Sequence, residues 1–140
     1  MRFWDSSAVV ALILDEIEHA RMLQKLGTDP TMVVWWATSV ECASALARRE
    51  REGSLPSTDA RLAWARLREL AGEWQEVVPT TALRTQAERM LRIHPLLRAG
   101  DALQLAAAFT AAEGDPPSLN VITFDERLKD CAAREGFSVL

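Results

Sequence analysis

"RFWDSSAVVALIL", residues 2–14, runs a short segment ending in Phe3 and Trp4 into an apolar stretch, with a single aspartate, Asp5, at the junction. The triplet 2–4 has the aromatic content of a short strand, and the stretch 7–14 has a helical pattern. A strand feeding directly into a helix is the repeating unit of an α/β domain, and the unit recurs along this chain. "MVVWWA" (32–37), "WQEVV" (74–78), "NVITF" (120–124) and "FSVL" (137–140) read as four further strands. Trp35 and Trp36 are consecutive and point to opposite faces of their strand, so a sheet covered on both sides is expected to bury both.

Helical patterns fill the intervals. Residues 16–26 form the second half of a broken pair with 7–14. Residues 39–52 put Val40, Ala43, Leu46 and Ala47 on one face and stop before Gly53. Residues 57–71 begin at Ser57, carry Ala60, Ala63, Leu67 and Leu70 as a stripe, and stop at Gly72. Residues 81–93 carry Leu83, Ala87, Met90 and Leu91, and His94-Pro95 breaks the pattern. In "HPLLRAGDALQLAAAF" (94–109) the run from Ala102 is almost entirely apolar, as in a helix buried all round, yet Asp101 stands at its threshold. A last helix near 126–135 ends at Gly136. Strands alternating with helices imply a parallel sheet covered on both faces, and no linker or repeat divides residues 1–140. The expectation is one α/β domain.

The bulk numbers agree with that class. A hydrophobic fraction of 49% with 26% charged residues is that of a soluble globular protein. A net charge of −4 argues against sequence-blind nucleic-acid binding, without excluding a local basic rim around an acidic, metal-loaded site. Cys42 and Cys131 have no metal-site spacing and fall on apolar faces, where small core residues are expected. Asp5 interrupts the N-terminal apolar run, and Ala8–Leu14 is too short to span a bilayer, so a cytoplasmic protein without membrane contact is expected.

Four acids occupy similar places. Asp5 follows the first strand and Asp125 the fourth; Glu41 lies in the first turn after the second strand, and Asp101 opens the buried helix. In open α/β sheets, ligands sit beyond the carboxyl ends of strands where strand order reverses. Taken singly, each acid reads as a helix cap rather than a catalyst, and Thr38-Ser39-Val40-Glu41 fits the capping-box pattern. Asp59, which follows a loop, reads as a cap. Several carboxylates in one crevice would repel one another unless a cation relieved the conflict. An oxygen ligand set that includes neither Cys nor His points to Mg²⁺ or Mn²⁺ rather than zinc.

At these residues the chain resembles the PIN-domain ribonucleases, specifically the VapC-like toxins of type II toxin–antitoxin pairs. The likeness spans essentially the whole length and is carried by "FWDSSAVVAL", "SVECASALARR", "HPLLRAGDALQLAAAF" and "VITFDERLKDCAAREGF" in that order. The resemblance implies a five-stranded parallel sheet, first strand central, flanked by helices on both faces. It implies a homodimer that cleaves RNA with Mg²⁺ or Mn²⁺. By the same likeness the four family acids fall on Asp5, Glu41, Asp101 and Asp125. Asp5 and Asp101 are then the main metal ligands, with Glu41 and Asp125 completing the shell directly or through water. Ser7 and Thr123 match small hydroxyl positions that would orient carboxylates. A cognate antitoxin that covers the active cleft, often with a basic side chain, is the expected partner.

The chemistry so implied is metal-assisted hydrolysis of a phosphodiester, with Glu41 or Asp125 positioning or deprotonating the water. Arg48, Arg49 and Arg51 read as a solvated face paired with Glu50 and Glu52, and Arg98 as a candidate for the substrate rim. His94 reads as a capping or loop residue, His19 as exposed, and Trp64 as a possible interface residue. Two rival classes stay open. A phosphoacceptor domain also gathers acids at strand ends but needs a lysine there, and Lys25 and Lys129 end no strand. A metal-free interaction module, its acids serving only as caps, would bind neither Mg²⁺ nor Mn²⁺.

Overall fold

The structure, a computed structural model, describes all 140 residues. Five strands form one sheet: β1 (Arg2–Trp4), β2 (Met32–Trp35), β3 (Gln75–Val77), β4 (Asn120–Ile122) and β5 (Ser138–Val139). Their order is β3-β2-β1-β4-β5 and every pair is parallel, so β1 is central as expected. The seven helices are α1 (Ser6–Ile13), α2 (His19–Thr28), α3 (Thr38–Glu52), α4 (Ser57–Ala71), α5 (Thr81–Ile93), α6 (Ala99–Ala111) and α7 (Glu126–Arg134). None is long and apolar enough to cross a membrane.

Period-two alternation along the strands separates two cores. Phe3, Val33, Trp35 and Val121 face α5, α6 and α7, packing with Leu83, Met90, Leu105 and Leu128. Trp4, Met32, Val34 and Ile122 face the other way, against α1 to α4, with Val9, Met22, Cys42, Leu46 and Leu67. Both cysteines are buried and free. Each fully buried aliphatic or aromatic side chain here contributes roughly 1.5–3 kcal/mol of hydrophobic stabilisation.

Local chemistry sets the helix ends. Asp5 caps α1 by accepting the Ser7 N–H, Thr80 caps α5 by accepting the Leu83 N–H, and Asp125 caps α7. Gly53, with φ of 76°, closes α3 in the left-handed region that glycine adopts without strain. Asp59 lies in the first turn of α4, but Pro56 holds the cap position and Asp59 forms no capping hydrogen bond.

Several side chains sit otherwise than their patterns suggest. Trp36 is 51% exposed, because β2 ends at Trp35 and the chain turns away before a second layer covers it. Val40 is 65% exposed; the buried stripe of α3 is Thr38, Cys42 and Leu46, four residues apart, on the adjacent face. His94 is the C-terminal cap residue of α5, in keeping with a capping role, but it is buried, and its Nε2 meets Glu135 Oε1 at 2.7 Å. His19 is half-buried, with Nδ1 3.3 Å from the Ala11 carbonyl oxygen.

Candidate active site

The chain passes from β1 to β2 and β3 on one side and then returns to β4 and β5 on the other, so strand order reverses beside β1. Asp5 leaves the carboxyl end of β1 and Asp125 follows that of β4, on either side of the reversal. The two segments are tied together through hydroxyls. Ser7 Oγ donates to Asp5 Oδ2 at 2.6 Å and accepts the Phe124 N–H at 2.9 Å. Thr123 Oγ1 donates to the same Oδ2 at 3.0 Å and accepts the Asp125 N–H at 3.0 Å. Because the two backbone N–H groups can only donate, both hydroxyls are left to point their protons at Asp5.

Asp5 is only 4% exposed and no cationic side chain pairs with it. Burial raises its pKa above the ordinary carboxylate value, against the opposing pull of Ser7 and Thr123. Its Oδ2 carries three donors, while Oδ1 meets only the Ser6 hydroxyl at 3.5 Å.

Glu41 does not act as a capping-box acid. Helix α3 begins one residue earlier than its pattern suggests, at Thr38, with Ala37 in the cap position, and no side chain caps it. Glu41 instead turns toward α6, where its Oε2 accepts from Gln104 Nε2 at 2.8 Å. Desolvation raises its pKa against the opposing pull of the Ser6 hydroxyl and the Gln104 amide, and the charges of Asp5 and Asp101 raise it further. Asp101 is half-buried in the first turn of α6 and accepts the Arg98 N–H at 3.1 Å. Arg98 itself is the exposed cap residue of that helix.

Asp125 differs. Its Oδ1 accepts the N–H groups of Arg127 and Leu128 at 2.9 and 3.0 Å, and its Oδ2 meets the Arg127 guanidinium at 3.2 Å. Burial works to raise its pKa, but the Leu128 N–H and Arg127 more than offset this and hold it below the usual value. Asp5, Glu41 and Asp101 therefore share one electrostatic neighbourhood, while Asp125 stands beside it through Thr123 and is committed to its own helix and an arginine.

A groove of about 450 Å³ opens next to these acids, lined by Ser6, Ser7, Glu41, Arg48, Arg49 and Phe124 among others. The arginines of α3 are not paired along their own helix. Arg49 is bound to Glu16 across the groove, and Glu50 instead accepts from the half-buried Trp64, whose Nε1 lies 2.5 Å away. Two partners at the site were not singled out from the pattern: Arg127, two residues past Asp125, and Gln104, the one buried polar residue in the alanine-rich α6. A polar residue inside an otherwise apolar run was the available signal for Gln104.

No group of three or more His, Cys, Asp or Glu side chains is gathered closely enough to hold a metal ion as a ready cage. The donor chemistry nevertheless fits a hard divalent cation. Three carboxylates lie within mutual repulsion, one of them is sealed from water, and none of them forms a salt bridge. Mg²⁺ takes one or two direct carboxylates and keeps several waters, so it does not require a closed cage.

The PIN domain family model matches residues 2–134. No curated protein sequence matches the chain significantly. Among solved structures, the chain is similar to VapC20 of Mycobacterium tuberculosis, described as a Sarcin-Ricin loop cleaving toxin. That likeness has 22% identity and a TM-score of 0.68, and it covers 98% of this chain and 96% of that one. It is also similar to a chain of FitAcB from Neisseria gonorrhoeae, with 18% identity, a TM-score of 0.66 and coverage of 100% and 96%. A third likeness is to a chain of VapBC2 from Rickettsia felis, bound to a DNA fragment from its promoter; identity is 10%, TM-score 0.66 and coverage 99% and 96%. At these identities the likeness is one of fold.

Proposed function

This chain belongs to the PIN-domain family, and on that premise we propose that it is the toxin of a type II toxin–antitoxin pair, an endoribonuclease dependent on Mg²⁺ or Mn²⁺. The observation that carries the reading is Asp5: a carboxylate 4% exposed, at the strand-order reversal, with no cation beside it and two more acids raising the local negative charge. Helix capping accounts for Asp5, Asp101 and Asp125 separately. It accounts for neither the placement of Glu41 nor the absence of a counter-charge.

In this reading Asp5 and Asp101 are the principal ligands, with Glu41 and Asp125 completing the shell directly or through water. A bound divalent cation supplies Lewis acidity toward a phosphoryl oxygen and lowers the pKa of its water. Ser7 and Thr123 occupy Asp5 Oδ2, which leaves Oδ1 as the lightly engaged oxygen. Glu41 is the better of the two candidate bases. Gln104 holds only its Oε2, and its raised pKa brings it nearer to neutral operating conditions. Asp125 is occupied by Arg127 and by two N–H groups, and its depressed pKa makes it a weak base. Water attack needs no 2′-hydroxyl nucleophile, so preference for RNA would come from shape and single-stranded character.

The expected setting is a cytoplasmic homodimer of a single-domain chain, silenced by a cognate antitoxin that covers the cleft. The test is induced expression followed by mapping of RNA 5′ ends, and cleavage in vitro with Mg²⁺ or Mn²⁺, comparing wild type with Asp5→Asn. New 5′ ends with the wild type alone are expected. Equal cleavage by a folded Asp5→Asn protein would end the proposal, and calorimetry without Mg²⁺ or Mn²⁺ binding would favour an interaction module.

A further inference from the structure

Gln104 is 2% exposed on a helix whose other buried residues are alanines and leucine. Its Nε2 lies 2.8 Å from Glu41 Oε2 and 3.2 Å from Thr38 Oγ1, so its two amide protons are spent on the first turn of α3. Its Oε1 is buried with no partner at all. Leaving a buried carbonyl unmade is unfavourable, and an aliphatic residue would fill the same space without that cost. Turning the amide over would not help, because the carbonyl would then face the Glu41 carboxylate. The arrangement therefore gives up one acceptor for a charge-assisted bond to one carboxylate.

That carboxylate needs holding. Glu41 has the longest and most flexible side chain of the three neighbouring acids, it is repelled by Asp5 and Asp101, and the groove beside it leads to solvent. The Ser6 hydroxyl also faces it, but the Gln104 amide makes its one close hydrogen bond. Without a tether, repulsion and rotamer entropy both favour swinging it out. We propose that Gln104 is a positioning residue: its buried amide, three residues after Asp101 on α6, holds the Glu41 carboxylate of α3 inside the acidic cluster. The benefit to catalysis rests on the role assigned to Glu41 above; the tether itself does not.

The metal-free protein provides the first test. Scalar couplings should place Glu41 in a single χ1 rotamer in wild type and show averaging in Gln104→Met, which keeps length and removes the donor. Mn²⁺ titration of the same pair should show affinity weakened about 10-fold or more, the usual effect of losing a partner to a metal ligand. The unfolding temperature of Gln104→Met should be unchanged or higher, since methionine leaves no carbonyl unpaired. Gln104→Glu, which sets a second carboxylate against Glu41, should release Glu41 equally. A single Glu41 rotamer in both variants would overturn the proposal, as would unchanged Mn²⁺ affinity together with a lower unfolding temperature, the signature of a packing role. If wild type neither binds Mn²⁺ nor cleaves RNA, the function proposed above falls, and the rotamer comparison still decides whether Gln104 is a tether.

Discussion

A carboxylate kept from water without a cation is held in its charged form at a disadvantage, and at the scale of single residues this sets what Asp5 and Glu41 do. Replacing Asp5 by asparagine keeps the shape and removes the charge. The metal-free variant should unfold at the same temperature as wild type or higher, while Mg²⁺-dependent cleavage should fall by more than about 100-fold, beyond the usual cost of an outer partner. Thermal melts beside an RNA cleavage assay read both. The pH dependence follows with a definite sign. Asp5 and Glu41 have folded pKa values raised above 3.8 and 4.5, so the folded state binds protons more tightly than the unfolded one. Their contribution is fully present below those unfolded values and is lost as pH rises through the folded ones. The metal-free protein should thus gain stability on mild acidification from neutrality, and Asp5→Asn should blunt the gain. Asp125 has the opposite sign: its pKa lies below 3.8, so its contribution is lost only as pH falls beneath that value. Unfolding temperatures across that range would separate the two windows.

Elements carry the next level of argument, and α3 shows why. Its apolar residues allow two neighbouring stripes, one through Val40 and one through Cys42 and Leu46, and only packing against α1 and the sheet selects between them. Leu46 is fully buried whereas Val40 is 65% exposed. Leu46→Ala should cost about 2–5 kcal/mol by cavity formation, and Val40→Ala should stay within roughly 0.5 kcal/mol. Urea unfolding of the two variants checks the register; equal losses would place the stripe where the sequence pattern alone puts it. The same selection turns Glu41 toward α6 and leaves it free of capping duty.

For the whole molecule, the two-sided sheet fixes which end carries the candidate site. The strand-order reversal beside β1 brings residues 5 and 123 together across most of the chain, and three acids crowd that end. A divalent cation that binds only the folded state stabilises it by mass action, about 2.7 kcal/mol at 100 times its dissociation constant. Adding Mg²⁺ or Mn²⁺ should therefore raise the unfolding temperature of wild type, EDTA should reverse the rise, and Asp5→Asn should show little of it. Calorimetric scans with and without Mn²⁺ measure the difference directly. A rise of equal size in Asp5→Asn would place the cation elsewhere on the molecule.

Much of this was legible in the chain itself. The alternation Phe3 and Trp4, or Val33 and Val34, separates two cores because successive strand residues face opposite ways, and that period is written locally. The strand-then-helix order likewise determined a parallel sheet, and the acids at the exits of β1 and β4 marked the end that carries the candidate site. What only the tertiary structure decided are partnerships between distant segments. Thr123 meets Asp5 at a separation of 118 residues and Gln104 meets Glu41 at 63, and no local period encodes such a pairing. Trp36 is exposed because of where β2 stops, and Asp125 is paired with Arg127 by the way α7 begins. Periodicity assigns a side chain to a face; the packing of elements assigns it a neighbour.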